Sequence, residues 1–322
     1  MKPAHLVKDT GGLALYGLGP RVVQRMSRRQ MVLLSKALGD AVRRASPADV
    51  RAMHQELEQT LGPAAAHPDV IKRSFRMRMM NELEVLRYPT LDATNVDRTV
   101  VVEGRHHLDH ALAQKKGAIV MIGHFGANQM IMPALGHNGY RMHQLSASPT
   151  AWLSIRTDGR VNRLFAQVQE LRWQIEQSLP AELIDVFGFM RPAYVCLEKN
   201  EVLGLAFDGG GGTRWVPMRL GRRTAYVSTQ PWQLARTTGA MVVPTVVVRE
   251  PDEERHRVIL SEPIAVSRTK DKEGDVAQAA QRYGQWFTGW LDRHPDHYVN
   301  FLLLRRNVRK TDNKPFFGDY VG

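Results

Sequence analysis

The chain has 322 residues, 43% of them apolar, and carries a formal net charge of +12. That length supports one sizeable core or one α/β domain with a helical extension. No apolar run reaches the ~18 residues that a membrane-spanning helix needs, and the lone Cys196 excludes an intramolecular disulfide or a cysteine-based zinc site and fits a reducing cytoplasm.

At the N-terminus, Val7-Lys8-Asp9 interrupts any apolar core of a secretory signal. Residues 12 to 44 interleave Leu13, Leu18, Val22, Met26, Met31, Leu33 and Leu38 with Arg21, Arg25, Arg28, Arg29, Lys36, Arg43 and Arg44. Gly19-Pro20 breaks the segment, so the cleaner basic amphipathic helix is 21 to 44. It fits either an anionic membrane interface or a helix packed on the domain with a solvated basic face. Ser46-Pro47-Ala48-Asp49 starts a second helix, with Ser at the N-cap and Pro at N1, and Gly62-Pro63 ends it. A third helix, about 68 to 88, carries Phe75, Met79, Leu83 and Leu86 at helical spacing.

A strand at 100–104 and a helix at 108–115 follow. His106, His107 and His110 lie there without a carboxylate pair to complete a metal site. Ala118 to Ile122 is an apolar run of strand length ending in Gly123, and His124 comes next. A histidine at the carboxyl end of a buried strand sits where open α/β sheets place reacting groups. The apolar stretch from Met130 to Leu135 opens a helix around Pro133. Further strands are expected at 140–146 and 183–187, with a helix at 162–178 between them. Cys196 falls on a buried helix face.

Val202 to Phe207 is a second short apolar run, ending in Asp208 and followed by Gly209-Gly210-Gly211-Gly212. The glycines match no nucleotide-loop pattern and read as a flexible lid or a close approach to phosphate. A helix from Ser228 to Thr238, a strand from Met241 to Val248, an exposed charged turn at 270–275 and a helix from Val276 to Arg293 complete the elements. Residues 309–322 are polar and expected to be loosely ordered. Strand and helix patterns alternating at this spacing predict an α/β fold: a mixed central sheet flanked by helices, behind an N-terminal helical extension. The expected division is a helical region over 1–90, an α/β domain over 91–308 and a tail.

The ordered set His124-Phe125-Gly126, Phe207-Asp208, Val216-Pro217-Met218-Arg219-Leu220-Gly221, Leu234 to Pro244, and Pro295-Asp296-His297-Tyr298 with Arg305-Arg306 resembles the lysophospholipid acyltransferase superfamily. Within it, the pattern is most similar to the bacterial lipid A late acyltransferases, over roughly residues 70 to 308. The resemblance implies a glycerolipid-acyltransferase-like fold and acyl transfer from a thioester, carried by coenzyme A or an acyl carrier protein, to a hydroxyl or amine. It makes His124 the general base and calls for no cofactor, no metal and no covalent acyl-enzyme. Ser146 and Ser148 also lack the G-x-S-x-G setting of a serine nucleophile.

Two departures stand out. The family's H-x4-D/E carboxylate falls on Gln129, which can orient an imidazole but not stabilise its charged form. Asp208, at the end of the later strand, is expected near the site, either to orient an acceptor hydroxyl or to supply the carboxylate that Gln129 lacks. The N-terminal membrane anchor usual in the family is not evident. The remaining candidates are Asn128 as an oxyanion donor, Gly126 beside it, and Arg191, Arg214, Arg219 and Arg223 as phosphate ligands or a solvated basic surface. The expected location is cytoplasmic, with peripheral attachment to the cytoplasmic face of the inner membrane as an extension of that reading. The positive charge suits an anionic membrane, a carrier protein or coenzyme A, and no nucleic-acid motif makes a nucleic-acid partner the better reading. The rival to an enzyme is a non-catalytic lipid- or membrane-surface-binding paralogue of the same fold, for which Gln129 would mark lost chemistry.

Overall fold

In the computed structural model, the residues described are 3–148, 163–209, 212–250, 253–307 and 315–320. The strands are β1 (Val100–Glu103), β2 (Ala118–Ile122), β3 (Met142–Ser146), β4 (Glu182–Asp185), β5 (Val202–Ala206), β6 (Trp215–Leu220), β7 (Arg223–Ser228), β8 (Met241–Val248) and β9 (His256–Leu260). Seven form one sheet in the order β1-β9-β8-β2-β5-β3-β4, and β6 and β7 form a separate hairpin. The strands β8, β2, β5, β3 and β4 run parallel. β9 is antiparallel to β8, and β1 follows β9. The sheet is therefore mixed, with five carboxyl ends along one edge.

The central strands read as continuous apolar runs because both faces of the sheet are covered. Alternate residues of β2 feed opposite cores. Ile119 and Met121 join Leu203, Trp232, Tyr283 and Phe287 on one face. Ala118, Val120 and Ile122 join Leu108, Ile131, Leu135 and the N-terminal residues Tyr16, Val23 and Met31 on the other. Pro244 is accommodated inside β8 because the ladder changes partner there. The β2 pairing ends at Pro244, and the β9 pairing begins at Thr245.

The helices are α1 (Pro3–Gly17), α2 (Gly19–Val23), α3 (Arg28–Ala45), α4 (Pro47–Leu61), α5 (Pro68–Val85), α6 (Arg105–Ala113), α7 (Ile131–Gly136), α8 (Arg163–Glu176), α9 (Arg191–Glu198), α10 (Gln230–Thr238), α11 (Lys272–Arg293) and α12 (Val299–Asn307). α3 packs along α5. Met53, Leu57 and Phe75 of α4 and α5 share a third core with Val299 and Leu303 of α12. The helical N-terminal third is thus welded to both the sheet and the C-terminal helix. No helix among the described residues is long and apolar enough to cross a membrane.

Several local expectations are corrected. The basic segment 21–44 is two helices, because Ser27 and Gln30 close a reciprocal capping box that starts a new helix at Arg28. The apolar residues of the wider stretch 12–44 divide: Val23 and Met31 are buried, while Leu18, Val22 and Leu33 are 62%, 62% and 59% exposed. Ser46 precedes α4 without a side-chain cap bond. Ser228 ends β7 rather than opening a helix. The turn expected at 270–275 is already helical from Lys272, because Asp271 caps it by accepting from the Gly274 N–H at 2.9 Å. In the tail, residues 308–314 lie outside the described residues. Phe316 and Phe317 are not loose: both are buried in the core, where Phe317 bridges Ala225 of β7.

Candidate active site

Register places the two central groups. β2 and β5 are parallel neighbours with Ile122 opposite Ala206, so residues two beyond each strand end emerge side by side. Those residues are His124 and Asp208. The imidazole Nδ1 lies 2.7 Å from Asp208 Oδ1. Asp208 Oδ2 accepts from the His124 backbone N–H at 2.8 Å and from the Tyr298 hydroxyl at 2.8 Å. A carboxylate only accepts, so Nδ1 carries the hydrogen, and in the neutral ring the lone pair is then on Nε2. The Asp208 side chain is 0% exposed and that of His124 is 36% exposed, so only the imidazole reaches solvent. The ring stacks on Phe301 with centroids 4.4 Å apart and planes 4° from parallel. Burial, then the Asp208 carboxylate, raises the Tyr298 phenol well above its usual value, which leaves it a neutral donor.

Two glycines bring the turn after β2 close to its neighbours. A Cβ on Gly123 would sit 2.8 Å from the Phe287 ring. Gly126 has φ +61°, and a Cβ there would lie 2.2 Å from the Val247 carbonyl oxygen. Its N–H donates to the His297 carbonyl at 2.9 Å, and its own carbonyl accepts from Asn81 Nδ2 at 2.9 Å. Gly126 therefore serves the backbone path, and its N–H is not available to a substrate.

The structure does not hydrogen-bond Gln129 to the imidazole. The 3₁₀ turn Asn128–Met130 sets Gln129 to accept from the Tyr88 hydroxyl at 3.2 Å instead. The half-buried Asn128 side chain has no hydrogen-bond partner among the described residues. Of the arginines, Arg191 at the start of α9 and Arg214 before β6 are exposed. Arg219 is also exposed and caps its own hairpin turn, its Nε donating to the Gly221 carbonyl at 2.8 Å. Arg223 is spoken for, which removes it as a phosphate ligand. It pairs with the buried Glu56 at 2.9 Å and with Asp319, and it lies over the Phe317 ring at 3.8 Å. Of the glycine run, Gly210 and Gly211 lie outside the described residues.

Tyr298, Phe301, Asn81 and Tyr88 complete the site, and none was assigned a role from sequence. Tyr298 alone carried a signal, inside the Pro295–Tyr298 motif. A cluster elsewhere also escaped notice. His143, Cys196 and Glu201 hold potential ligand atoms within 4.8 Å of one another. It lies at the amino ends of β3 and β5, across the sheet from His124. His143 Nε2 is 2.6 Å from Glu201 Oε2. Burial and the neighbouring carboxylates push the Cys196 thiol up to about 12, so it stays protonated at neutral pH.

The site is thus a strand-end histidine held by a buried aspartate on the neighbouring parallel strand, in a sheet packed by helices on both faces. The chain belongs to the bacterial lipid A biosynthesis acyltransferase family, whose pattern matches residues 2–306. It is 28% identical over 191 residues to the lipid A biosynthesis lauroyltransferase of Escherichia coli (strain K12), covering 56% of this chain and 55% of that protein. The chain thus matches about half the length of that curated relative. Among solved structures, it is similar to the 1-acyl-sn-glycerophosphate (LPA) acyltransferase PlsC from Thermotoga maritima. That similarity has a TM-score of 0.34 and 12% identity, and it covers 81% of this chain and 98% of that one.

Proposed function

We propose that the protein is an acyltransferase that moves an acyl chain from a thioester, carried by coenzyme A or an acyl carrier protein, to a hydroxyl or amine of a lipid acceptor. The observation that carries this reading is the His124 imidazole, fixed through Nδ1 by a buried carboxylate and free at Nε2. Nε2 removes the acceptor proton as the acceptor oxygen or nitrogen attacks the thioester carbonyl. The new C–O or C–N bond forms, and the tetrahedral oxyanion is met by a donor such as the Asn128 amide. The C–S bond then breaks, and the imidazolium returns its proton to the leaving thiolate. Asp208 keeps the tautomer and stabilises the imidazolium, as the orienting aspartate does in a serine-protease triad. No protein nucleophile enters.

Arg191, which opens α9, and Arg214, before β6, lie in the connections that follow the carboxyl ends of β4 and β5, where they suit the phosphates of either substrate. Exposed Leu18, Val22 and Leu33 among Arg21, Arg25 and Arg29, together with Phe189 at 92% exposure, suit peripheral attachment to an anionic cytoplasmic membrane face. The rival reading, a binding paralogue without chemistry, drew on Gln129. The carboxylate 2.7 Å from the imidazole weighs against it.

The test is free-thiol release from acyl-coenzyme A and acyl-carrier-protein donors, with pooled lipid acceptors. Acceptor-dependent release that disappears in His124→Ala is expected. Absence of release in every pairing, with the protein folded and bound to vesicles, would leave only the binding reading.

A further inference from the structure

A second basic feature lies beside the Gly126 turn. A shallow cleft, open to solvent, is lined by Ser35 and Lys36 of α3, Arg73 and Arg76 of α5, Arg249 after β8, and Asp296 before α12. Four cations face one carboxylate across it.

Arg76 and Arg73 each have a carboxylate partner. Arg76 donates to Asp40 at 2.9 and 2.6 Å, and Arg73 lies 3.7 Å from Asp296. Arg249 differs. The residue is 6% exposed, and its Nε is buried without a partner. Its Nη1 donates to the Glu253 carbonyl at 3.3 Å. No carboxylate lies within ion-pairing distance of it among the described residues. Glu84, whose field also reaches Arg249, is itself held by Arg28 at 2.7 Å and His256 at 2.7 Å. Burial lowers the Arg249 pKa below the usual guanidinium value, the signature of a buried cation that is under-compensated. Burying a charge without a partner is expensive, and a fork-shaped guanidinium fits a tetrahedral oxyanion better than a point charge does.

The cleft shares a wall with the site. Arg249 follows Val247, whose carbonyl Gly126 approaches, and Asp296 adjoins His297, whose carbonyl accepts the Gly126 N–H at 2.9 Å. α5 carries Arg73 and Arg76 and then Asn81, which holds the Gly126 carbonyl. Eight residues of helix separate Arg73 from Asn81, about 12 Å at 1.5 Å per residue. About 12 Å of one helix thus joins the cleft to the Gly126 turn, two residues beyond His124.

We infer that this cleft binds a phosphate monoester of a substrate, seated on Arg249 and Arg73, and so anchors that substrate with its reacting group at His124. The anchoring role rests on the acyl-transfer reading above; the binding site itself does not. The phosphate comes either from a lipid headgroup or from the donor's carrier.

Two binding arms separate these sources. In the first, sedimentation with phosphatidylcholine vesicles containing phosphatidic acid is compared with vesicles containing phosphatidylserine, matched for surface charge so that the general positive field cancels. In the second, coenzyme A is compared with 3′-dephospho-coenzyme A by calorimetry. One arm is expected to show about a tenfold preference for the monoester, equivalent to about 1.4 kcal/mol. Arg73→Gln and Arg249→Lys should reduce that preference to about twofold, and His124→Ala should leave it intact. Arg73 is half exposed, so its variant carries the test even if the buried Arg249→Lys fails to fold. A preference in the lipid arm assigns the phosphate to the acceptor, and one in the coenzyme A arm assigns it to the donor. No preference in either arm, or one that Arg73→Gln leaves unchanged, overturns the site. Intact monoester binding with no acyl transfer from any donor would remove the reaction reading and leave the site standing.

Discussion

Asp208 reaches His124 twice, through the ring at 2.7 Å and through the backbone N–H at 2.8 Å. One buried carboxylate therefore fixes both the imidazole and the peptide that bears it. In Asp208→Asn the amide can turn its NH₂ toward Nδ1, which would draw the ring hydrogen to Nε2 and remove the base. Turnover is expected to fall by roughly 10²–10⁴, the range for general-base and orienting-aspartate losses. Combining it with His124→Ala should cost little more than His124→Ala alone, because the two act as a unit. Thiol-release rates for the two single variants and the double variant check this; additive losses would refute the coupling.

Tyr298→Phe removes one of the three donors on Asp208 but leaves both His124 bonds. A hydrogen bond to a charged group contributes about 1.5–3 kcal/mol, so a turnover loss of roughly tenfold with KM unchanged is expected. A purely structural role would instead lower the melting temperature and leave turnover per folded molecule intact.

Gln129 makes a contrasting case. Because Nδ1 is already engaged by Asp208, restoring the family's carboxylate in Gln129→Glu should change turnover by less than about threefold, under 1 kcal/mol of barrier. Gln129→Ala should strand the buried Tyr88 hydroxyl and lower stability by about 1–3 kcal/mol at preserved turnover. A large rate gain in Gln129→Glu would show that Asp208 does not do the orienting.

What could be read in the sequence was set by local pattern. Buried parallel strands announce themselves as apolar runs, so Ala118–Ile122 and Met241–Val248 were found residue for residue. His124 and Asp208 stood out because each directly follows such a run. That Asp208 would lie near His124 came from the family resemblance, while the β2–β5 register that brings the two together is a non-local property that no local pattern shows. Gln129 misled because its side chain follows a 3₁₀ turn that spacing does not reveal. Arg223 misled because Glu56 is distant in sequence, so a buried ion pair looked like a free surface cation. Phe316 and Phe317 were lost in a polar tail because two aromatics show no periodicity.

Arg223→Met tests the misreading of Arg223. The Glu56 side chain is 1% exposed and holds Arg223 at 2.9 Å, Arg306 at 3.2 Å and the Tyr320 hydroxyl at 2.6 Å. Removing one partner of a buried pair leaves an uncompensated charge and costs about 3–5 kcal/mol. The companion change Glu56→Leu should recover much of that loss. Turnover per folded molecule should stay at the wild-type level, and denaturant melts of the three variants measure the coupling. A loss of substrate affinity without loss of stability would instead return Arg223 to the substrate.

The Glu84–His256 pair sets the acid limit of the fold. Burial alone would raise the Glu84 carboxyl, but His256 and Arg28 beside it outweigh that and hold it at about 2, against 4.5 when exposed. Burial also lowers the His256 pKa below 6.5. In both cases the unfolded chain binds protons more readily than the folded one, so both contributions are complete at high pH and are lost on acidification. The histidine part fades as pH falls below about 6.5, and the Glu84 part fades between about 4.5 and 2. A depression of this size corresponds to about 3 kcal/mol for Glu84. Stability measured by urea melts from pH 8 to pH 3 should therefore decline in two stages. In His256→Gln the first stage should shrink; in Glu84→Gln the second should shrink, on a lower plateau, because Arg28 is left without its buried partner. A wild-type profile flat across both windows would show that the pair is not held in these protonation states.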